Sequence, residues 1–218
     1  MDKSKIDKKY ELTEETKEVD GRLLYRIKSL KDFADVKKGY FGGWIESEHN
    51  LSHYGNCWID DDAMVYGNAK VYGDAHVFGN SKVFNNAQVF GYAKVFGDAQ
   101  VHGNAKVFWN SQVYDYAKVY QNANVYGNAL VYGNAKIYGN SQVYGNAHII
   151  DNAKIYGNAK VFCNAQVYGE TKVYQNANVY GDALVYGNAK VYEDAQIFGE
   201  SKVCGKDCVC GDTRLGDI

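Results

Sequence analysis

Residues 119–136 read VYQNANVYGNALVYGNAK, and residues 173–190 repeat them with one change, Asn128 to Asp182. Each copy holds three hexapeptides of the type Val-Tyr-Gly-Asn-Ala-Lys, and the offset between copies is 54 residues. That offset is a whole number of three-hexad units, so the spacing predicts a coil of 18 residues. Counting in sixes from Val65 to Val209 gives 25 first positions, and all are Val or Ile. The second position is Tyr or Phe in 21 of them, the exceptions being His102, Ile150, Cys204 and Cys210. The fifth is Ala, Ser or Thr except at Asp207, and no insertion breaks the count.

Period two explains the pattern. Ala and Val of "AKVY" point one way, Lys and Tyr the other. Gly-Asn supplies a bend, since both residues tolerate positive φ. Each hexad is then one short strand and one corner. A strand that short cannot bury its Val alone, but stacked coils can bury each Val on the next. The expectation is an all-β, single-stranded parallel β-helix with three hexads per 18-residue coil. The 27 hexad starts from Ile59 to Leu215 give about nine coils and, at the sheet spacing of about 4.8 Å, a rod of roughly 40 Å. Ser81, Ser111, Ser141, Thr171 and Ser201 recur every 30 residues, a spacing that does not match whole coils.

The chain has 218 residues, a net charge of −2, 20 Tyr, 23 Gly and no Pro. Absence of Pro suits uninterrupted ladders, because no backbone donor is missing. No apolar run is long enough to span a bilayer, and the charged start MDKSKIDKKYELTEETKE lacks the apolar core of a signal peptide. These features predict a cytoplasmic protein without membrane contact. Five unevenly placed Cys then argue against a disulfide framework.

The N-terminal 52 residues read as a cap and residues 53–218 as the helix. Residues 1–8 are charged and predict a disordered tip. The stretch up to Leu30 predicts a β-hairpin turning at Asp20-Gly21. Ser29 with Asp32 three residues on predicts a capping box and a short helix ending at Gly39. Together they make a small α+β cap that plugs the open first coil.

The hexads resemble those of left-handed parallel β-helix proteins of the hexapeptide-transferase type. The stretch from Asp32 to Ala69 is similar to the start of YdcK-like bacterial hexapeptide-repeat proteins, on Asp32-Phe33, Asp35-Val36, Gly42-Gly43-Trp44, Leu51-Ser52, Cys57-Trp58-Ile59 and Ala63-Met64. The resemblance implies left-handed winding and an N-terminal cap; periodicity alone implies neither. It carries no established reaction and no catalytic residue. Hexapeptide acyltransferases use a His base and bind acyl-CoA between neighbouring helices. Here His76, His102 and His148 fall on outward slots with no carboxylate evident in the repeat, so no catalytic residue and no cofactor is assigned. An acyl-CoA-dependent acyltransferase stays the one enzyme alternative.

Period 18 exposes outward columns. One face carries Tyr72, Phe90, Phe108, Tyr126, Tyr144, Phe162, Tyr180 and Phe198. A long exposed aromatic stripe suits self-association, with a trimer as in other left-handed β-helices. A second face carries Lys118/Tyr120, Lys136/Tyr138, Lys154/Tyr156, Lys172/Tyr174 and Lys190/Tyr192. Like charges stacked one above another repel, and Lys interleaved with aromatics suits an anion such as a nucleotide or nucleic acid. The third face varies: His76, Gln112, Leu130, His148, Gln166 and Leu184 share its slot. His53 and Cys57 face inward by register, as core filling. Cys204, Cys208 and Cys210 offer three outward thiols for a metal but no fourth ligand. The leading expectation is a non-enzymatic repeat scaffold that binds through its flat faces; anion binding through the Lys/Tyr face is the alternative within that class.

Overall fold

The structure, a computed structural model, describes residues 7–216. The chain opens with β1 (Tyr10–Val19), β2 (Arg22–Ser29) and β3 (Phe41–Ile45), then winds through 27 two-residue strands that start at β4 (Trp58–Ile59) and β5 (Met64–Val65). These strands form three parallel stacks, one per face of a prism. Every pairing from β4 onward joins residues 18 apart, as in Lys118↔Lys136 and Val119↔Ile137. The result is a parallel β-solenoid of about ten turns, consistent with the left-handed β-helix that the repeats resemble.

The alternation predicted from sequence governs burial. The Val or Ile and the Ala, Ser or Thr of nearly every hexad are fully buried, and the Lys and Tyr slots point outward. A buried Val contributes about 1.5–3 kcal/mol, and each sits on its counterpart one coil on. The inward hydroxyls of the 30-residue series are satisfied by backbone carbonyls. Ser81 Oγ donates to Phe78 O at 2.8 Å and lies 3.2 Å from Val95 O in the next coil. Ser111 and Ser141 do the same. An inward hydroxyl is tolerated because two carbonyls satisfy it, and a step of 30 puts successive hydroxyls on different corners.

The corners differ from the expectation that Gly and Asn share the positive φ. Only the third position is left-handed, as in Gly139 at φ 74° and Gln121 at φ 58°. The fourth-position Asn is free to build amide ladders instead. One runs from Asn68 through Asn86, Asn104, Asn122, Asn140, Asn158 and Asn176 to Asp194, each Nδ2 donating to the next side-chain oxygen at 3.0–3.2 Å. A second runs from Asn110 to Asp182.

The cap holds the predicted hairpin at Asp20-Gly21, but the expected helix after Ser29 is absent. Ser29 Oγ donates to Lys31 O instead of accepting a helix N–H, and Asp32 Oδ1 accepts the Lys38 N–H at 2.8 Å. Ala34 at φ 42° closes a tight turn that pairs Phe33 with Val36. Local side-chain hydrogen bonds have outcompeted helix here. The one helical turn among the described residues is a 3-10 turn at Glu48–Asn50. Of the expected disordered tip, residues 1–6 lie outside the described residues.

β3 is the first parallel rung, with Trp44 opposite Met64, so the expected boundary after residue 52 falls inside the first turn. Gly42 and Gly43 permit its close approach: a Cβ there would lie 2.5 Å from Ile59 O and 2.6 Å from Ala63 O. The hairpin extends the sheet of the Lys face. Tyr10, Ile27, Leu51 and Trp58 join the core cluster, with Phe33 and Val36 packed against it. Lys9 is buried, and its Nζ donates to Cys57 O at 2.7 Å and Gly55 O at 3.2 Å. His53 and Cys57 thus belong to this plug: His53 stacks on Tyr10 at 4.3 Å and its Nδ1 accepts the Lys9 N–H.

Candidate functional site

The 18-residue coil turns a sequence column into a physical one. Lys118, Lys136, Lys154, Lys172 and Lys190 stand opposite one another on consecutive rungs. Neighbouring rungs lie about 4.8 Å apart, so five ammonium groups crowd one edge-to-edge row. Among the described residues none of the five forms an ion pair within 4.0 Å; the ion pairs present lie in the cap and first coils. The row borders an open groove of about 770 Å³ lined by Lys118, Lys136 and Lys154 together with Asn134 and Asn152. Two carboxylates, Asp98 and Glu170, stand at its ends, and each accepts from an Asn rather than a Lys. Glu193 is turned away as well, its Oε2 accepting the Gly211 N–H at 2.7 Å.

Beside the Lys row runs a ladder of rings. Tyr120, Tyr138, Tyr156, Tyr174 and Tyr192 stack with centroids 4.9–5.0 Å apart and planes within 9°. A base inserted between two rings needs about 7 Å, twice the stacking rise of about 3.4 Å. The rings therefore cannot intercalate a base and present only their edges and hydroxyls. Burial raises the pKa of Tyr120, Tyr138, Tyr156 and Tyr174, so these hydroxyls stay protonated donors near neutral pH. On the neighbouring face Tyr72, Tyr126 and Tyr180 spend theirs on Gln88, Gln142 and Gln196. For Tyr120, Tyr138, Tyr156 and Tyr174 the equivalent neighbours are Lys136, Lys154, Lys172 and Lys190, which cannot accept.

The column expected to mark an oligomer face, Tyr72 to Phe198, is a continuous stack with centroids 4.8–5.3 Å apart. Its rings are half-buried rather than exposed, because each is covered by the next. Equivalent ladders occupy the other two faces, so the aromatic column does not single one out. From Val65 onward the large exposed aromatics among the described residues are at corners, Tyr92, Trp109 and Tyr116, while Tyr40, Phe41 and Tyr54 are exposed in the cap and first coil.

The three C-terminal thiols are not brought to one point. Cys208 and Cys210 lie on the Lys face, and the corner at Gly205 separates them from Cys204. Among the described residues no group of three or more metal-ligating side chains is assembled, and the thiols are free. One outward His does have a carboxylate nearby, against expectation. His76 Nε2 lies 3.9 Å from Asp60 Oδ2 on the preceding coil. The signal was present in the repeat: Asp60 occupies an aromatic slot 16 residues before His76, the offset at which Tyr72 meets Gln88.

The solenoid, its unbroken hexad register and its capped first coil decide the architecture. The chain is a parallel β-solenoid built from hexapeptide repeats. No protein-family model matches it. This hexapeptide-repeat protein is 41% identical over 66 residues to a protein of Escherichia coli (strain K12) named an uncharacterized acetyltransferase, YdcK. The match covers 27% of this chain and 20% of that protein's length. No helix among the described residues of the hexapeptide-repeat protein is long and apolar enough to cross a membrane.

Proposed function

We propose that this chain is a non-enzymatic binding scaffold whose Lys/Tyr face takes a linear polyanion lying along the rod. One observation carries the reading: five register-stacked Lys without a carboxylate partner. Such a row is held at a cost in repulsion and is relieved by a ligand that supplies evenly spaced negative charge. The Tyr edges add hydroxyl donors to the same row. Because the rings are closed to insertion, the ligand is read by its backbone charge and not by stacked bases. Nucleic acid of any sequence, or inorganic polyphosphate, satisfies that chemistry.

Fluorescence anisotropy of a labelled single-stranded oligonucleotide across a salt series tests this, with wild type beside a Lys118→Gln, Lys136→Gln, Lys154→Gln variant. The expected slope of log K on log salt reaches about −3.5, five contacts at about −0.7 each. Polyphosphate should displace the oligonucleotide. Binding that is absent, salt-independent or unchanged in the variant overturns the reading. Acetyl-CoA is titrated in parallel, because the E. coli relative is named an acetyltransferase. Saturable acetyl-CoA binding that survives the triple substitution would favour acyl transfer instead.

A further inference from the structure

A cleft of about 610 Å³ lies between the turn at residues 34–40 and the third face of the first coils. Its walls hold three carboxylates, Asp35, Asp60 and Asp74, against one cation, Lys94. Lys94 forms no ion pair within 4.0 Å of any of them. Burial lowers the pKa of His76, which keeps it neutral near pH 7, so the cleft carries a net negative charge. Asp60 Oδ1 is used by the Asp61 N–H and Asp74 Oδ1 by the Asn56 N–H. Among the described residues the second oxygen of Asp74 accepts no hydrogen bond, and Asp60 has the Tyr40 hydroxyl beside it.

Two ring nitrogens in the same walls are orphaned. Trp58 is 2% exposed and its Nε1 has no partner; His76 Nε2 is likewise buried and unpartnered. A buried N–H left unpaired costs about 1–3 kcal/mol. Indole N–H only donates, so what satisfies it must bring an acceptor oxygen. The carboxylates ask for a cation with hydrogens to give. Tyr40 and Tyr92, 47% and 64% exposed, form an aromatic rim over which a cation or C–H face can rest.

We propose that this cleft binds a small hydroxylated primary amine: its ammonium between Asp60 and Asp74, and a hydroxyl oxygen accepting from Trp58 Nε1. The site is separate from the Lys/Tyr face and does not depend on the function proposed there. It is built from the chain's departures from the repeat. Asp60 stands in an aromatic slot, Tyr92 in an Asn slot and Trp58 in a Lys slot.

The chain holds three Trp, so a nitrogen–proton correlation spectrum shows three indole signals, and Trp58→Phe assigns one by its loss. Full-length protein is titrated with glucosamine, with glucose, which has hydroxyls but no amine, and with cyclohexylamine, which has the amine alone. The expected result is a saturable downfield shift of the Trp58 indole proton with glucosamine, and at least tenfold weaker response to either control. Asp60→Asn, checked for an unchanged circular dichroism spectrum, should weaken glucosamine binding at least tenfold, and Asp74→Asn is the substitute if it misfolds. No shift with glucosamine, an equal shift with either control, or equal affinity in the folded carboxamide variant overturns the proposal.

Discussion

Lys136 and Lys154 stand directly opposite each other on adjacent parallel rungs, and among the described residues neither has a carboxylate within ion-pair distance. Their repulsion opposes folding and is screened by salt. The thermal midpoint of the wild type should therefore rise as sodium chloride goes from about 10 mM, where the Debye length is about 30 Å, to about 1 M, where it is about 3 Å. Lys154→Gln should stabilise the protein at low salt by roughly 0.2–1 kcal/mol and flatten that dependence. A midpoint that falls with salt, or a destabilised variant, would contradict the Lys row as a strained element.

His102 interrupts the Tyr ladder of the same face, stacked 4.7 Å from Phe84 and 5.1 Å from Tyr120. Burial, then the nearby Lys118 charge, lowers its pKa from 6.5. His53 and His76 are lowered too, burial again leading. As pH falls through 6.5, the unfolded chain binds protons that the folded chain still refuses, so stability falls over that window. His102→Tyr restores the consensus ring and removes one of these sites. Denaturation midpoints from pH 8 to pH 5 should decline less in this variant than in wild type.

Asn122 donates to Asn140 and accepts from Asn104, so Asn122→Ala breaks two ladder bonds. At about 0.5–1.5 kcal/mol per bond, the loss should be about 1–3 kcal/mol. Asn134 occupies an equivalent corner slot but makes no side-chain ladder bond; its backbone N–H serves Asp151 O. Asn134→Ala should change stability by less than about 0.5 kcal/mol. Urea denaturation of the pair checks the contrast.

Gly139 has φ 74°, and a Cβ there would lie 2.8 Å from both the N and the O of Gly157. Gly139→Ala should cost about 1–3 kcal/mol through backbone strain. Gln121 occupies the same corner slot one coil earlier at φ 58° and accepts the Gly139 N–H at 2.7 Å. Gln121→Ala keeps a tolerated backbone and forfeits one bond, about 0.5–1.5 kcal/mol. Equal losses in the two variants would remove the steric distinction between the slots.

The sequence by itself determined the inward Val and Ala columns, the outward Lys and Tyr columns and the 18-residue coil that aligns Lys118 with Lys136. These follow from period two and an uninterrupted repeat, and each hexad reports them locally. The hairpin at Asp20-Gly21 is legible for the same reason. Tertiary structure decided what no local rule contains. Ser29 and Asp32 carry a capping-box signature, yet Asp32 reaches Lys38 and the segment turns back to let Phe33 pack on Trp58 at 5.4 Å. Lys9 reads as the start of the hairpin, yet it is buried against Cys57, 48 residues away. The cleft that Asp60 and His76 share with Asp35 forms only because the cap folds over the first coils. Periodicity predicts what every repeat does; a departure from it acquires meaning only when chain closure supplies its neighbours, because the free energy of a contact depends on what lies beside it in space.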